Sequence, residues 1–296
     1  MKVGLAGLGR MGGTIARRLL DLGCPLAVWN RSPEKAEELA SSGVVVVKTA
    51  HDLAQWSDIV LSIVSDDEAT RSLYTGESGL LTGAGGGKLF VEMSTLKPET
   101  IAALSAATLS TGARFIECPV MGTVGPARNG TLVALAGGDA EDVERAGEIL
   151  RHLARRIIHT GGIGSACIMK LTVNSVLLTY LQALAEGLAF GTRGGLTAEI
   201  VLEVLAESPV NTPFLAIKSE MLRGKVLEPS EVGASLATVR KDMLSIASTA
   251  SDLGVPMPAA YATLVNLSAA CAAGWADREI AEIASFHRLL TAQLNA

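Results

Sequence analysis

Residues 2–32, KVGLAGLGRMGGTIARRLLDLGCPLAVWNRS, decide the fold of this chain. The first apolar run predicts a strand, and Gly7, Gly9 and Gly12 follow it at the G-x-G-x-x-G spacing. Apolar side chains then recur at helical spacing, and residues 26–29 form a second apolar run. This order of strand, glycine turn, helix and strand is typical of a βαβ unit that binds a dinucleotide, with the pyrophosphate at the helix N-terminus.

The residues after the second strand indicate which dinucleotide is preferred. An NAD site usually has Asp or Glu about 20 residues after the glycines, whereas this chain has Asn30, Arg31 and Ser32. No carboxylate repels a 2′-phosphate there, and the Arg31 guanidinium offers a forked donor beside the Ser32 hydroxyl. The sequence therefore predicts NADP(H). The alternative is that Arg31 is a solvated residue before a helix that starts at Pro33 with Ser32 as N-cap, and the two roles are compatible.

Length and composition predict two domains and neither a nucleic-acid nor a membrane partner. The chain has 296 residues, 49% of them apolar and 19% charged, with a net charge of −5. This balance gives no electrostatic reason to bind nucleic acid or an anionic membrane. We expect a cytoplasmic protein without a membrane span, since no leader pattern opens the chain and no apolar run reaches the ~18 residues that a span needs. The cysteines and histidines show no C-x-x-C pair or ligand pattern, so neither disulfides nor a metal are expected.

The hydrophobic pattern predicts an α/β domain with a doubly wound sheet, followed by an all-helical domain. Strands are predicted at residues 3–6, 26–29, 44–47, 59–64, 89–92, 115–117, 132–136 and 157–159. Beyond residue 165 helices are predicted at residues 166–191, 198–207, 214–222, 233–253, 258–273 and 279–294. Glycines punctuate the chain between the two patterns. We therefore assign residues 1–162 to a Rossmann-type dinucleotide-binding domain and residues 163–296 to a helical domain, joined by a long helix.

The predicted long helix has apolar side chains on nearly every face. We expect it to be buried on most sides, and one small domain does not easily provide enough packing partners for such a helix. The pattern therefore predicts at least a homodimer.

Three features outside the glycine turn are candidates for chemistry. Residues 118–127 are rich in Gly and Pro, and they form either a structural loop or one where backbone approaches a ligand. Lys170 and Asn174 are four apart on the long helix and share a face. Burying a lysine is costly unless it is paired or functional, and desolvation would lower its pKa toward the range used in proton transfer; the alternative is a lysine that reaches the surface. Lys241 and Asp242 read equally well as a solvated charged patch.

Six strings follow one another in the order of a known family. They are GLAGLGRMGGTIARRLL…VWNRS, VSDD, EMSTLKPET, FIECPVMGTVGPARNGTLVALAGG, GSACIMKLTVNSVLLTYLQALAEGLAF and VRKDMLSIASTASDLGVPMP. Together they resemble the β-hydroxyacid dehydrogenases, which include 3-hydroxyisobutyrate dehydrogenase, tartronate semialdehyde reductase and the NADPH-dependent glyoxylate/succinic semialdehyde reductases. The resemblance covers about residues 2–290. It implies hydride transfer between NADP(H) and a small β-hydroxyacid, semialdehyde or 2-oxo acid, and pairing of chains through the helical domain.

The resemblance also implies roles for individual residues. Lys170 would be the general acid/base at the substrate carbonyl oxygen, and Asn174 would hydrogen-bond the same substrate. The backbone of the segment with Met121, Gly122 and Thr123 would hold the substrate carboxylate. The motif and the resemblance together assign the cofactor to Gly7, Leu8, Gly9, Arg10, Met11, Gly12, Asn30, Arg31, Ser32, Val64, Ser65, Thr95 and Lys241. The family usually has serine where this chain has Met121, which cannot donate a hydroxyl hydrogen bond, so 3-hydroxyisobutyrate itself is disfavoured as the substrate.

Two other functions remain open. One is an imine reductase of the same architecture, although such relatives tend to lack the lysine. The other is a non-catalytic dinucleotide-binding protein that keeps the fold without the chemistry, which the presence of Lys170 and Asn174 disfavours. 6-Phosphogluconate dehydrogenase shares the fold, but its much longer helical domain has no counterpart in this chain.

Overall fold

The computed structural model describes residues 1–229 and 231–293. The chain divides into two compact units, Met1–Thr172 and Val173–Ala296, of which the first contains a sheet and the second is helical. The division falls inside a single helix, Ser165–Arg193. The domain boundary after residue 162 stays a prediction, because compactness is a different criterion from an independently folding domain.

One sheet runs through the first unit. Its strands are β1 (Val3–Ala6), β2 (Leu26–Trp29), β3 (Val45–Val46), β4 (Ile59–Ser62), β5 (Leu89–Glu92), β6 (Arg114–Glu117), β7 (Val120–Met121), β8 (Leu132–Gly137) and β9 (Ala154–Gly161). The order is β3-β2-β1-β4-β5-β6-β8-β7, with β9 beside β8. Strands β1 to β6 are parallel, whereas β8 is antiparallel to β6 and β7. The order of the parallel strands is that of a doubly wound Rossmann sheet, so the predicted fold class is confirmed.

Helices cover both faces of this sheet. Those of the first unit are α1 (Arg10–Asp21), α2 (Glu34–Glu37), α3 (Ala50–Trp56), α4 (Asp67–Thr75), α5 (Pro98–Ser110), α6 (Val124–Asn129) and α7 (Ala140–Leu150). In β4, Leu61 packs into one apolar cluster with Ile15 of α1, and Val60 packs into a second cluster with Leu53 of α3. Both faces of the strand are therefore buried, which is why its sequence is a continuous apolar run rather than an alternating one.

Several predicted boundaries were wrong in the first unit. The strand predicted at residues 59–64 ends at Ser62, and the one at residues 157–159 extends over Ala154–Gly161. Residues 118–127 contain β7 and the start of α6 rather than a plain loop. The alternative that places Ser32 as N-cap was also wrong, since Pro33 occupies the cap position and gives no side-chain cap to α2. These ends depend on tertiary pairing and on single caps, which the apolar pattern does not encode.

In the part that the structure describes, the second unit consists of helices and their connections, with an isolated antiparallel bridge between Ser235 and Glu279. Its elements are the distal part of α8 (Ser165–Arg193), α9 (Ala198–Glu207), α10 (Pro213–Arg223), α11 (Leu236–Asp252), α12 (Pro258–Ala270) and α13 (Ile283–Gln293). The helix predicted from residue 233 begins later because the Ser235 hydroxyl accepts the amide hydrogen of Thr238 and caps it. The helix predicted at residues 279–294 begins with a 3-10 turn, Ile280–Glu282, and its predicted end at Leu294 lies outside the described residues.

Helix α8 is less buried in one chain than its sequence predicts. Val176 is 68% exposed and Phe190 is 85% exposed, so one side of the helix faces outward. Among the described helices it is the one long and apolar enough to cross a membrane by length and composition, and 44% of its most apolar stretch is buried. Core helices of globular proteins pass the same test, so the expectation of no membrane partner stays a prediction.

Candidate active site

The glycine turn between β1 and α1 has the geometry of a phosphate cradle. Gly7 has a φ of 93°, which favours glycine, and a side chain there would clash with the carbonyl oxygen of Ile63. A side chain at Gly12 would strike the carbonyl oxygen of Gly7. Gly9 is the exposed N-cap of α1, and a side chain there would meet no atom within 4 Å. The turn is therefore closed on the protein side and open at Gly9, which as a glycine has no side chain to cap the first amides of α1.

The second part of the predicted cofactor site lies directly after β2. The Asn30 carbonyl oxygen accepts the amide hydrogen of Leu8 at 2.8 Å, and its amino group donates to the carbonyl of Ser32 at 2.9 Å. Asn30 thus joins the glycine turn to the turn that carries Arg31, and both Arg31 and Ser32 are exposed. The predicted residues of this part are brought together, with Asn30 holding the backbone and Arg31 facing solvent.

A buried carboxyl organises the part of the predicted cofactor site that contains Val64, Ser65 and Thr95. Glu92, the last residue of β5, is fully buried; its side chain accepts the Ser62 hydroxyl at 2.6 Å and the amide hydrogen of Ser94 at 2.7 Å. The Ser94 hydroxyl in turn accepts the amide hydrogen of Val64 at 2.9 Å. Burial raises the pKa of Glu92 to about 6, although the bonds from Ser62 and Ser94 oppose the shift. The network fixes the backbone at Val64, which is followed by Ser65. Thr95 follows Ser94 in the segment after β5.

The predicted carboxylate-binding segment follows β6. Met121 ends β7, and Thr123 is the N-cap position of the short helix α6, with no side-chain cap. Gly122 has a φ of 118°, and a side chain there would approach Leu132 to 2.8 Å. Glycine is therefore required between the two, and Gly122 and Thr123 are exposed. The backbone here is accessible, as the prediction requires.

Lys170 lies near the beginning of α8, and it is half-buried. The helix is anchored to the sheet by Glu117, the last residue of β6, which is fully buried. Its carboxylate accepts the amide hydrogens of Gly164, Ala166 and Cys167 at 2.6, 3.0 and 2.9 Å. Burial raises the pKa of Glu117, and these three bonds counteract the rise.

Asn174 and Lys241 belong to the second unit, where one carboxylate joins them. The Asn174 amino group donates to Oδ2 of Asp242 at 2.8 Å, and Nζ of Lys241 lies 2.9 Å from Oδ1 of Asp242. Asp242 is 6% exposed, so it is not part of a solvated patch. The approach of Lys241 to a cofactor stays a prediction.

Sequence reasoning missed the buried acids Glu92 and Glu117, and it named Asp242 only as part of a solvated charged patch. The signal was present for the first two, because each is an acidic residue that ends an apolar strand, in LFVE and RFIE. A buried acid is rarely tolerated without partners, so such an ending indicates a polar network. In the described ranges no group of three or more His, Cys, Asp or Glu side chains could hold a metal ion.

Two family models cover the chain. Residues 2–162 match the NAD binding domain of 6-phosphogluconate dehydrogenase, and residues 164–287 match the NAD-binding domain of NADP-dependent 3-hydroxyisobutyrate dehydrogenase. The chain belongs to the β-hydroxyacid dehydrogenase family. This family consists of NAD(P)-dependent oxidoreductases, and the first unit is a nicotinamide-dinucleotide-binding domain.

Similar curated proteins include semialdehyde reductases and nuclear factors. The chain is 29% identical to glyoxylate/succinic semialdehyde reductase 1 of Arabidopsis thaliana, over 96% of this chain and 97% of that protein. It is 31% identical to the cytokine-like nuclear factor N-PAC of Xenopus tropicalis, over 88% of this chain and 48% of that protein. The chain thus spans about half the length of the N-PAC proteins that it matches.

Solved structures of the family superpose over almost the whole chain. 3-Hydroxyisobutyrate dehydrogenase of Mycobacterium tuberculosis with L-serine has a TM-score of 0.85 and 26% identity, over 97% of this chain and 99% of that chain. Psf3 in complex with NADP+ and 2-OPP has a TM-score of 0.84 and 27% identity, over 96% and 99%. The imine reductase of Myxococcus stipitatus with NADP+, 20% identical with a TM-score of 0.66 over 97% and 99%, shares the fold.

Proposed function

We propose that the chain is an NADP(H)-dependent oxidoreductase that interconverts a small semialdehyde or 2-oxo acid and its hydroxy acid. The observation that carries this proposal is that one compact unit holds both the open glycine turn and the anchored start of the helix with Lys170. The turn fits a dinucleotide and the lysine fits a proton donor, whereas a pure binding module needs only the first. Full-length similarity to a glyoxylate/succinic semialdehyde reductase supports the substrate class.

Each predicted site residue would have a separate role in binding or proton transfer. The amides at the head of α1 would hold the pyrophosphate across Gly9, and Arg31 with Ser32 would hold the 2′-phosphate. A bound nicotinamide supplies or accepts the hydride. The amides of Gly122 and Thr123 would hold the substrate carboxylate, and Lys170 would give its Nζ proton to the carbonyl oxygen during reduction and take it back during oxidation. Asn174, oriented by Asp242, would hydrogen-bond the substrate.

A side-by-side substrate panel tests the proposal. NADPH consumption is measured with glyoxylate, succinic semialdehyde, methylmalonate semialdehyde and a cyclic imine at equal concentrations. We expect turnover of at least one oxo acid and none of the imine. Methylmalonate semialdehyde should be a poor substrate, because Met121 replaces the hydroxyl donor that the family usually has there.

A second candidate is a dinucleotide-binding protein without catalysis. The similarity to N-PAC favours this candidate, because those proteins are named nuclear factors rather than reductases or dehydrogenases. The same panel separates the two functions. If NADPH binds in a fluorescence titration but none of the substrates in the panel causes its consumption, the second candidate is supported and the first is overturned. Turnover of the cyclic imine alone would instead support an imine reductase.

Arg31→Ala should weaken NADPH binding much more than NADH binding. A charge-assisted hydrogen bond is worth about 1.5–3 kcal/mol, so loss of the guanidinium should weaken NADPH binding roughly tenfold to a hundredfold and leave NADH binding nearly unchanged. Both dissociation constants are measured by fluorescence titration. Arg155→Ala, at an exposed arginine of β9, is the matched control and should change neither constant. A wild-type chain that turns over NADH at least as fast as NADPH would contradict the assignment.

We also propose that the chain forms at least a homodimer through the exposed face of α8. Val176 and Phe190 on α8 and Val265 on α12, which is 68% exposed, are large apolar side chains of the second unit that face outward. Light scattering at micromolar concentration should give at least twice the chain mass of 30.6 kDa. Phe190→Glu should reduce that mass, whereas Leu22→Glu, at an apolar residue of the first unit that is 46% exposed, should not. A strictly monomeric wild-type mass would refute the proposal.

A further inference from the structure

Glu117 contacts two predicted parts of the site, one through its main chain and the other through its side chain. Its main chain ends β6 and leads directly into the segment that contains Met121, Gly122 and Thr123. Its side chain leaves the sheet and reaches the beginning of α8. One residue therefore connects the predicted carboxylate-binding segment to the helix that carries Lys170, and all of these atoms belong to the first unit.

The bonds that Glu117 makes are the ones a helix start lacks. The first amides of a helix have no partner within the helix, and their dipoles favour a negative charge. Oε1 of Glu117 accepts the amide hydrogens of Gly164 and Ala166, and Oε2 accepts that of Cys167. A carboxylate buried this completely would be costly without such partners. Three backbone bonds and the dipole offset that cost and fix the first turn of α8.

The place of the carboxylate is enclosed as well as bonded. Gly137, the last residue of β8, pairs with Glu117 across the sheet, and a side chain at Gly137 would strike the Glu117 carboxylate. The lack of a side chain at Gly137 therefore leaves the space that the carboxylate occupies. Cys167 is three residues before Lys170, so the clamp acts about 4.5 Å along the helix axis from the lysine.

We infer that Glu117 is a positioning residue for Lys170: by clamping the first turn of α8 to the end of β6, it holds the lysine at a fixed place relative to the substrate-binding segment. This inference rests on the proposed function of Lys170. A misplacement of about 1 Å can cost on the order of a hundredfold in rate, so a clamp next to the proton donor has a measurable effect.

The test uses Glu117→Gln, which nearly keeps the shape of the side chain. Glutamine offers one acceptor oxygen for Gly164 and Ala166, but its amino group faces the N–H of Cys167 and cannot accept it. In the chain without ligands, hydrogen exchange of the amides at residues 164–167 should become roughly tenfold to a hundredfold faster, because a bond to a charged group is worth about 1.5–3 kcal/mol. Unchanged exchange would show that the carboxylate is not the clamp and would overturn the inference.

A double-mutant cycle separates positioning of the lysine from a general structural role. We expect Glu117→Gln to lower kcat by roughly tenfold or more with the KM for NADPH unchanged, and to lower it by less than about twofold when Lys170 is already alanine. Equal losses in the two backgrounds, or no loss in the first, would overturn the inference while leaving Lys170 catalytic. No loss from Lys170→Ala itself would instead refute the proposed function, and the positioning role with it.

A second variant covers the case in which Glu117→Gln does not fold. Gly137→Ala keeps the charge and adds a carbon that would strike Oε1 of Glu117, so the carboxylate has to shift from its bonded position. It should reproduce faster exchange at residues 164–167 and the same dependence on Lys170. Gly85→Ala is the control, because a side chain there meets no atom within 4 Å. If Gly137→Ala loosens the helix start but kcat is unchanged, the clamp does not serve the lysine and the inference is wrong.

Discussion

Lys170→Ala should lower kcat by about 10²–10⁴-fold, the usual contribution of a positioned general acid. The carbonyl oxygen that gains charge as hydride arrives at its carbon would then have only water as a proton source. NADPH binding should not change, because the residues assigned to the phosphates are Gly9, Gly12 and Arg31. Lys170→Arg should be nearly as slow, since a guanidinium stays protonated at any usable pH and cannot cycle a proton. Single-turnover kinetics with excess enzyme measure the loss, and fluorescence titration measures binding.

Lys225→Ala is the matched control for this experiment. It removes the same side chain at an exposed position of the second unit and should leave kcat and the NADPH affinity at wild-type values. If Lys170→Ala keeps more than about a tenth of wild-type turnover on every oxo acid of the panel, the size of effect expected for proton transfer is absent. Lys170 would then be a binding or structural residue rather than the general acid.

Gly12→Ala and Gly9→Ala should separate the two functions of the glycine turn. The added carbon at Gly12 points at the carbonyl oxygen of Gly7, where backbone must shift, so the variant should lose about 1–3 kcal/mol of unfolding free energy as well as cofactor binding. The added carbon at Gly9 meets no protein atom within 4 Å, and a φ of −65° suits alanine. Gly9→Ala should therefore keep wild-type stability and still lose NADPH affinity by roughly tenfold or more, because the carbon fills the space through which the pyrophosphate approaches the backbone.

Denaturant unfolding and NADPH titration of both variants measure the two effects independently. The informative comparison is between the pair, since each adds the same methyl group at residues three apart in one turn. Gly9→Ala with undiminished NADPH affinity would show that the open space at Gly9 is not where phosphate lies. Gly12→Ala with unchanged stability would show that helix and strand are not packed as closely as the turn requires.

The local elements of this protein were determined by its sequence, because their signals are local. The glycine spacing before α1, the apolar run of β4 and the helical period of α8 each lie within one short stretch. The parallel sheet followed from the alternation of those elements, since short right-handed crossovers leave few other arrangements. The family resemblance then supplied roles for Lys170 and Asn174, which remain predictions.

The buried polar contacts were decided only by the tertiary structure. Ser62 and Glu92 are 30 residues apart, Glu117 and Ala166 are 49 apart, and Asn174 and Asp242 are 68 apart. A hydrogen bond between such residues depends on strand register and helix placement to within a few tenths of an ångström, which no local periodicity records. The sequence could therefore name the glycine turn and the lysine, but only the folded chain shows which carboxylates hold the backbone around them in place.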